Sequence, residues 1–410
     1  MCRRLQAVLA LAAFCVCAAT HASEPPLAGS RCAPGHFVDA EFRDAALTAL
    51  DRLVVQAPGH AAHGAVRSHH SAGHVDAQGR AWHQVSAYQV NLGLIGALRV
   101  APQLLPVVAD WLRWQARHIA AVGNSRGVVF DHWVRADDFE ESNCPPGIAA
   151  RLCKHVDAYD SSAASTLLMA DAYLRHGGDR AVLRDPKMRQ ALEAAADALR
   201  DLASTDGLTV ATPTHRVVYT MDAVEVTAGW RAWARVQRDA YAQPQSAENS
   251  FAASTRIEAS LRARLWDSTA GGWRVSLDAG PMQRGRWYPD TMAQAWPLLW
   301  GTNTGSAEHG PGAWRRAIAS WQGKAHWASR IVDPDGFWWP AAAVAAVCTG
   351  DPAAARTWVA RARQRWLDPE APFAWPFQVG DLLWLLWLAD PPQQHIGSID
   401  PSSPLPTSTH

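Results

Sequence analysis

Asp333-Pro334-Asp335-Gly336-Phe337-Trp338-Trp339 is the stretch from which the rest of the chain can be read. Its Asp-Gly step supplies the positive φ of a tight turn, an extended run of aromatic or β-branched residues follows, and the loop then leads on to a helix-periodic apolar stretch. The same order recurs at Asp76-Ala77-Gln78-Gly79-Arg80-Ala81-Trp82, Asn124-Ser125-Arg126-Gly127-Val128-Val129-Phe130, Asp206-Gly207-Leu208-Thr209-Val210 and Ala270-Gly271-Gly272-Trp273-Arg274-Val275. A sixth segment, Pro369-Glu370-Ala371-Pro372-Phe373-Ala374-Trp375, keeps the aromatics and loses the glycine.

Apolar periodicity around these segments predicts twelve helices, near 41–56, 84–100, 103–120, 160–176, 187–203, 219–238, 247–265, 289–300, 312–328, 339–349, 352–367 and 378–389. After every second helix the chain turns back quickly, at Ala101-Pro102, between Gly177 and Pro186, and at Gly350-Asp351-Pro352. After the others it runs through the long glycine-aromatic segments. An outer helix, a long loop, an inner helix and a short return, repeated six times, closes a double ring with every long loop on one face. The expected fold is therefore all-α, an (α/α)6 toroid with short extended segments in the loops of that face.

In this pattern the chain resembles the six-hairpin glycosidase superfamily, whose toroids include cellulases, chitosanases, glucoamylases, trehalases and unsaturated-uronide hydrolases. The resemblance spans residues 41 to about 390 and rests on architecture and loop pattern. The first inner helix, Gln84-Val85-Ser86-Ala87-Tyr88-Gln89-Val90-Asn91, carries no acidic residue, whereas several of those families place one there. The resemblance implies hydrolysis of a glycosidic bond, by inversion in many of its members.

Composition agrees with an ordered chain. Of 410 residues 48% are hydrophobic and 19% charged, and 38 basic residues balance 38 acidic ones. A formal charge of zero gives no field for a nucleic-acid backbone. Tryptophan is in excess, with 21 Trp against 9 Phe and 6 Tyr. Arg3 and Arg4, the apolar run Leu5 to Ala19 and Thr20-His21-Ala22 read as a cleavable signal peptide over 1–22, which predicts export to the periplasm or beyond. Residues 23–40 form an extension, 41–390 the domain, and 391–410 a Pro/Ser-rich tail. No later stretch is long enough to span a bilayer. Of the cysteines left after cleavage, Cys32, Cys144, Cys153 and Cys348, the pair Cys144 and Cys153 brackets a Pro-Pro-Gly turn and is the easiest to join. No nucleotide fingerprint or hydrolase elbow occurs. The histidines from His60 to His83 include an i,i+4 pair, His70 and His74, but the glycines among them argue for a polar loop. A monomer acting on an oligo- or polysaccharide, without metal or cofactor, is expected.

The carboxylates at the starts of the inner helices supply the chemistry. Glycoside hydrolysis needs one protonated and one ionised carboxyl group. Asp160 and Asp290 stand in first turns, where the helix dipole favours the ionised form and suits a base. Asp222 and Glu225 share one helical face and crowd each other, which suits a proton donor. Asp160 also has the position of an ordinary cap, Asp290 that of a common first-turn acid, and capping is the expected role of Asp381. Sugar faces stack on aromatic rings, so Trp82, Trp133, Trp287, Trp338, Trp339 and Trp375 are candidate walls of the cleft, with Tyr88, Tyr159, Tyr219, Tyr288, His83, Asp131 and His132 beside them. The tyrosines with His83 or His132 could alternatively serve a polysaccharide lyase, and a sugar-binding assembly protein is a third reading.

Overall fold

The computed structural model describes residues 36–302, 304–323 and 325–389. The expected leader, the tail and Cys32 lie outside the described residues.

Outer and inner helices alternate along the chain. The outer ones are α1 (Ala40–Leu53), α3 (Leu105–His118), α6 (Pro186–Leu202), α8 (Pro244–Arg264), α10 (Ala313–Ala319) and α12 (Pro352–Trp366), and the inner ones are α2 (Ala87–Val100), α4 (Tyr159–Arg175), α7 (Thr220–Asp239), α9 (Met292–Leu299), α11 (Pro340–Cys348) and α13 (Leu382–Ala389). A short helix, α5 (Arg180–Arg184), sits in the return from α4 to α6. Burial separates the two sets. Every residue of α9, α11 and α13 is buried, as for helices surrounded by protein, whereas α6 buries only the face carrying Met188, Leu192, Ala195 and Leu199. Aspartates start several helices: the Asp39, Asp185 and Asp351 side chains accept from backbone N–H groups of α1, α6 and α12.

The inner ring is closed. α2 touches α4, α4 touches α7, and so on through α9, α11 and α13, which returns to α2. At that last seam the absence of a side chain is essential, because a Cβ on Gly93 would stand 2.3 Å from the Val379 carbonyl oxygen and one on Gly96 2.4 Å from that of Leu382.

Two results depart from the sequence expectation. The helix expected over 312–328 is cut to α10, which ends at Ala319, and Trp321 beyond it packs edge-on to Trp287 at 5.3 Å. The first two long loops also pair with each other. β1 (His74–Val75), β2 (Ala81–Val85), β3 (His132–Arg135) and β4 (Glu141–Ser142) form one antiparallel sheet in that order, with Trp82 opposite Arg135 and Gln84 opposite Trp133. β5 (Trp266–Asp267) and β6 (Gly272–Trp273) make a small hairpin in the fourth loop. Cys144 and Cys153 form a disulfide, with Cα atoms 4.4 Å apart, and Cys348 is disulfide-bonded as well.

At the C-terminal ends of the inner helices the ring is filled. Arg175 and Arg235 both bind Asp171, at 2.9 Å and 2.7 Å, and Arg231 binds Glu258 at 2.5 Å. The void there, lined by Ile95, Leu168, Ala228, Trp300 and the three arginines, measures about 20 Å³. That is room for one water. The N-terminal ends form the opposite, loop-bearing face.

Candidate active site

Three inner helices bring their first turns together on the loop-bearing face. α4 supplies Asp160 and Ser161, α7 supplies Asp222 and Glu225, and α2 supplies Tyr88. Asp160 is fully buried; its carboxylate accepts from the Thr209 hydroxyl at 2.7 Å and from the Ser161 backbone N–H at 2.8 Å. Glu225, one turn below Asp222, accepts from the Tyr88 hydroxyl at 2.7 Å and from the Trp296 indole at 2.8 Å. The Ser161 hydroxyl is buried near Asp222 and Glu225 without a hydrogen bond of regular geometry.

Electrostatics follow from this crowding. Burial, then the charges of Asp160, Glu225 and Asp157, push the Asp222 carboxyl well above the usual carboxylate range. Burial likewise raises Glu225 to about 7, against the opposing pull of its Trp296 and Tyr88 donors. Asp160 is raised to about 6, again by burial, with the Thr209 hydrogen bond opposing. The first-turn position alone suggested a depressed value for Asp160. Desolvation outweighs the helix dipole there, because full burial strips the carboxylate of its hydration at a cost of up to several kcal/mol, whereas a helix N-terminus returns at most about 2 kcal/mol.

An aromatic wall stands beside the carboxylates. Tyr288 stacks on Trp339 with ring centres 5.2 Å apart, Trp296 meets Trp339 edge-on at 5.9 Å, and the Trp339 indole donates to Asp333 at 3.0 Å. Phe337 continues the wall to Trp375, which is 47% exposed. Burial and then the Asp222 charge hold the Tyr288 hydroxyl protonated far above neutrality. Tyr219 is partly buried and its hydroxyl meets the His215 ring at 2.9 Å. Tyr159, also partly buried, opens α4, its N–H bound to the Ala211 carbonyl.

Other candidates are committed elsewhere. Asp290 is buried, accepts from the Gln283 N–H at 2.8 Å and faces Arg286 at 3.5 Å, which makes it the anchor of the 281–286 segment. Asp131 accepts from Gln84 at 2.9 Å and lies 3.5 Å from His155. His132 is packed between Trp114 and His118 of the outer helix α3. His83 is buried on β2, and desolvation lowers it to about 4. Four tryptophans expected as walls are core residues with no face free for a sugar. Trp82 is 0% exposed and donates to Asp76, Trp133 is covered by the His74 edge, Trp287 lies among Trp314, Trp321 and Trp327, and Trp338 packs on Trp358 and Trp366. Asp381 caps its helix, accepting from the Gln378 N–H. Sequence reading passed over Asp157, Ser161, Thr209, Trp296 and Asp333. Only Asp157, three residues before Asp160 at the same loop-to-helix junction, carried a signal that a wider list would have caught.

Among the described residues no group of three His, Cys, Asp or Glu is arranged to hold a metal ion, and no helix is long and apolar enough to cross a membrane.

No protein-family model matches the sequence, and neither does any curated protein. Solved structures do match in fold. A wild-type glycosidase aligns over 86% of this chain and 98% of its own at 14% identity, with a TM-score of 0.54. A variant glycosidase in complex with glucose aligns over 86% and 98% at 13% identity, with a TM-score of 0.51. An alpha-amylase from Clostridium perfringens aligns over 87% and 98% at 10% identity, with a TM-score of 0.50. Likeness in the helical framework with so little identity is likeness of fold, and by its closed ring and alternating link lengths the chain has an (α/α)6 toroid fold that it shares with these structures.

Proposed function

We propose that the chain is an exported glycoside hydrolase, acting as a monomer on an oligo- or polysaccharide by paired-carboxylate catalysis, with a signal peptide over 1–22 and its catalytic domain over 41–390. The observation that carries this reading is the position of Asp222, crowded by Asp160 and Glu225 and facing an aromatic wall on the loop-bearing side. Glycosidases with this fold, one holding glucose, support a carbohydrate substrate.

In this reading Asp222 is the proton donor. Burial first, and then its neighbours' charges, favour its protonated form, and it alone of the three crowded carboxyls retains partial exposure. Asp160, sealed beneath, is a positioning residue that maintains that charge, and Glu225 is the second buried acid of the pair. Asp157, exposed in the loop before α4 and within electrostatic reach of Asp222, is placed to deprotonate the attacking water. Asp290 stays in the candidate pool through its first-turn position only. Tyr88, Tyr288, Trp339 and Trp375 line the sugar path, with Tyr159 and Tyr219 at its edge. Inversion is the expected stereochemistry from the fold's relatives.

The test is a reducing-sugar assay on a polysaccharide panel with Asp222→Asn and Glu225→Gln alongside. Loss of turnover in Asp222→Asn with unchanged circular dichroism supports the assignment, whereas full activity in both variants refutes it. The anomer first seen by NMR decides inversion, and azide rescue of Asp157→Asn tests the base.

A further inference from the structure

The closed end of the ring carries donors that the described residues do not satisfy. Arg175 of α4, Arg231 and Arg235 of α7 and Trp300 just beyond α9 line the void of about 20 Å³, with the apolar side chains of Ile95, Leu168 and Ala228. Trp300 is 3% exposed, and its indole N–H is buried with no partner among the described residues. The Arg231 Nε–H is buried without a partner as well, although the other two nitrogens of that guanidinium donate to the Gly301 carbonyl at 3.2 Å and to Glu258 at 2.5 Å. Charge points the same way. Arg175 and Arg235 share Asp171, at 2.9 Å and 2.7 Å, so two guanidinium groups lean on one carboxylate. His176, at the end of α4, is held down to about 4 by desolvation and then by the charges of Arg175 and Arg99, which marks a region of positive potential. Basic side chains near helix C-termini are ordinary partners of the helix dipole, and that accounts for the place of the arginines but not for the two unsatisfied N–H groups. A water matches the void in size and not in chemistry. It would bring two donors of its own, and none of the seven lining side chains is an acceptor. An anion accepts from every side and donates nothing.

We propose that the closed end of the ring binds one monatomic anion, a chloride ion, held by the Arg231 Nε–H and the Trp300 indole N–H in the field of Arg175 and Arg235. Sulfate and phosphate are excluded, because a void with room for one water has no room for five heavy atoms. The Arg175, Arg231 and Arg235 side chains keep 24%, 14% and 13% exposure, which leaves the ion a path from solvent between them. Bound there, it ties α4, α7 and the end of α9 together and adds to the stability of the ring. The site lies at the opposite end of these helices from Asp160, Asp222 and Glu225, so the inference stands whether or not the chain cleaves sugars.

The test uses the full chain in sodium gluconate buffer, with sodium chloride replacing gluconate at constant ionic strength. The melting temperature should rise saturably, by about 2 °C once chloride stands ten-fold above its Kd. The chloride NMR line should broaden in the presence of the protein and sharpen again on adding bromide, which fits the same space, but not on adding sulfate. Trp300→Phe keeps the ring and removes the N–H, and Arg231→Lys keeps the charge and removes the Nε–H; each should weaken chloride binding by about ten-fold or more. A melting temperature indifferent to chloride overturns the proposal, as does a chloride response that both variants retain in full. Should a variant fail to fold, the NMR line of the parent decides: no broadening, or broadening that sulfate reverses as well as bromide, refutes the site.

Discussion

Replacing Gly96 by alanine tests the closure of the ring at the place where it is tightest. The new Cβ would stand 2.4 Å from the Leu382 carbonyl oxygen and 2.5 Å from the Leu383 Cα, both backbone atoms that no rotamer change can move. Restoring an ordinary contact requires α2 and α13 to part by about 1 Å, and a gap of that size forfeits up to about half the dispersion energy along the seam. Overpacking of this kind costs about 3 kcal/mol, and alanine returns about 1 kcal/mol through helix propensity, leaving a net loss of about 2 kcal/mol. With about 2.1 cal/mol/K of unfolding entropy per residue over roughly 350 residues, the melting temperature should fall by about 3 °C. Gly93→Ala, aimed at the Val379 carbonyl from 2.3 Å, should act similarly. The double variant should lose less than the sum, since the first substitution already opens the seam. Gly280→Ala, with open space around it, is the control and should stay within about 0.5 kcal/mol. Calorimetry and urea unfolding read all four. A Gly96→Ala protein more stable than the parent would mean that the propensity gain acts unopposed, and the ring would not be closed as described.

Asp222→Asn should lower kcat by about 10²- to 10⁴-fold at unchanged melting temperature, measured on whichever glycan the parent cleaves. Glu225 is raised from 4.5 to about 7, so the folded state holds an extra proton between those values; stability is greatest below pH 4.5 and declines by about 3 kcal/mol as pH rises to 7. Asp160 adds to the same trend over a lower window, and urea midpoints of Glu225→Gln against pH should show a flatter curve. Trp339→Ala should raise KM with little loss of melting temperature, whereas Trp82→Ala should cost about 3–5 kcal/mol of stability and leave KM unchanged.

Sequence periodicity located the helices well because the inner and outer sets differ in composition as well as in position. Pro340 to Cys348 and Leu382 to Ala389 are apolar all round, and such runs have few alternatives to a buried helix. The starts expected at 41, 187 and 352 fall within one residue of the observed Ala40, Pro186 and Pro352, each preceded in the structure by a capping aspartate. The pairing of β2 with β3 was not, because it joins loops of different repeats and depends on register between distant segments. For the site, the first-turn rule found Asp160, Asp222 and Glu225 but also Asp290, whose fate is set by Arg286 and Gln283. Adjacent tryptophans show the limit plainly. Trp338 points into the outer ring and Trp339 toward Tyr288, and no pattern in Phe337-Trp338-Trp339 says which goes where. Trp296 reaches Glu225 from a turn deep inside α9, a contact that only the assembled ring creates.

The arginine-filled floor, with its void of about 20 Å³, makes the toroid a cup rather than a tunnel. A polymer could not be threaded through it, so anything the proposed hydrolase cut would leave by the mouth through which it arrived. Entry and exit would then share one doorway, and each fragment still seated on the proposed Tyr288 and Trp339 platform would block the next chain from docking. Turnover would accordingly be governed by how fast the shorter piece lets go, and accumulating product would act as a competitor for the same aromatic seat.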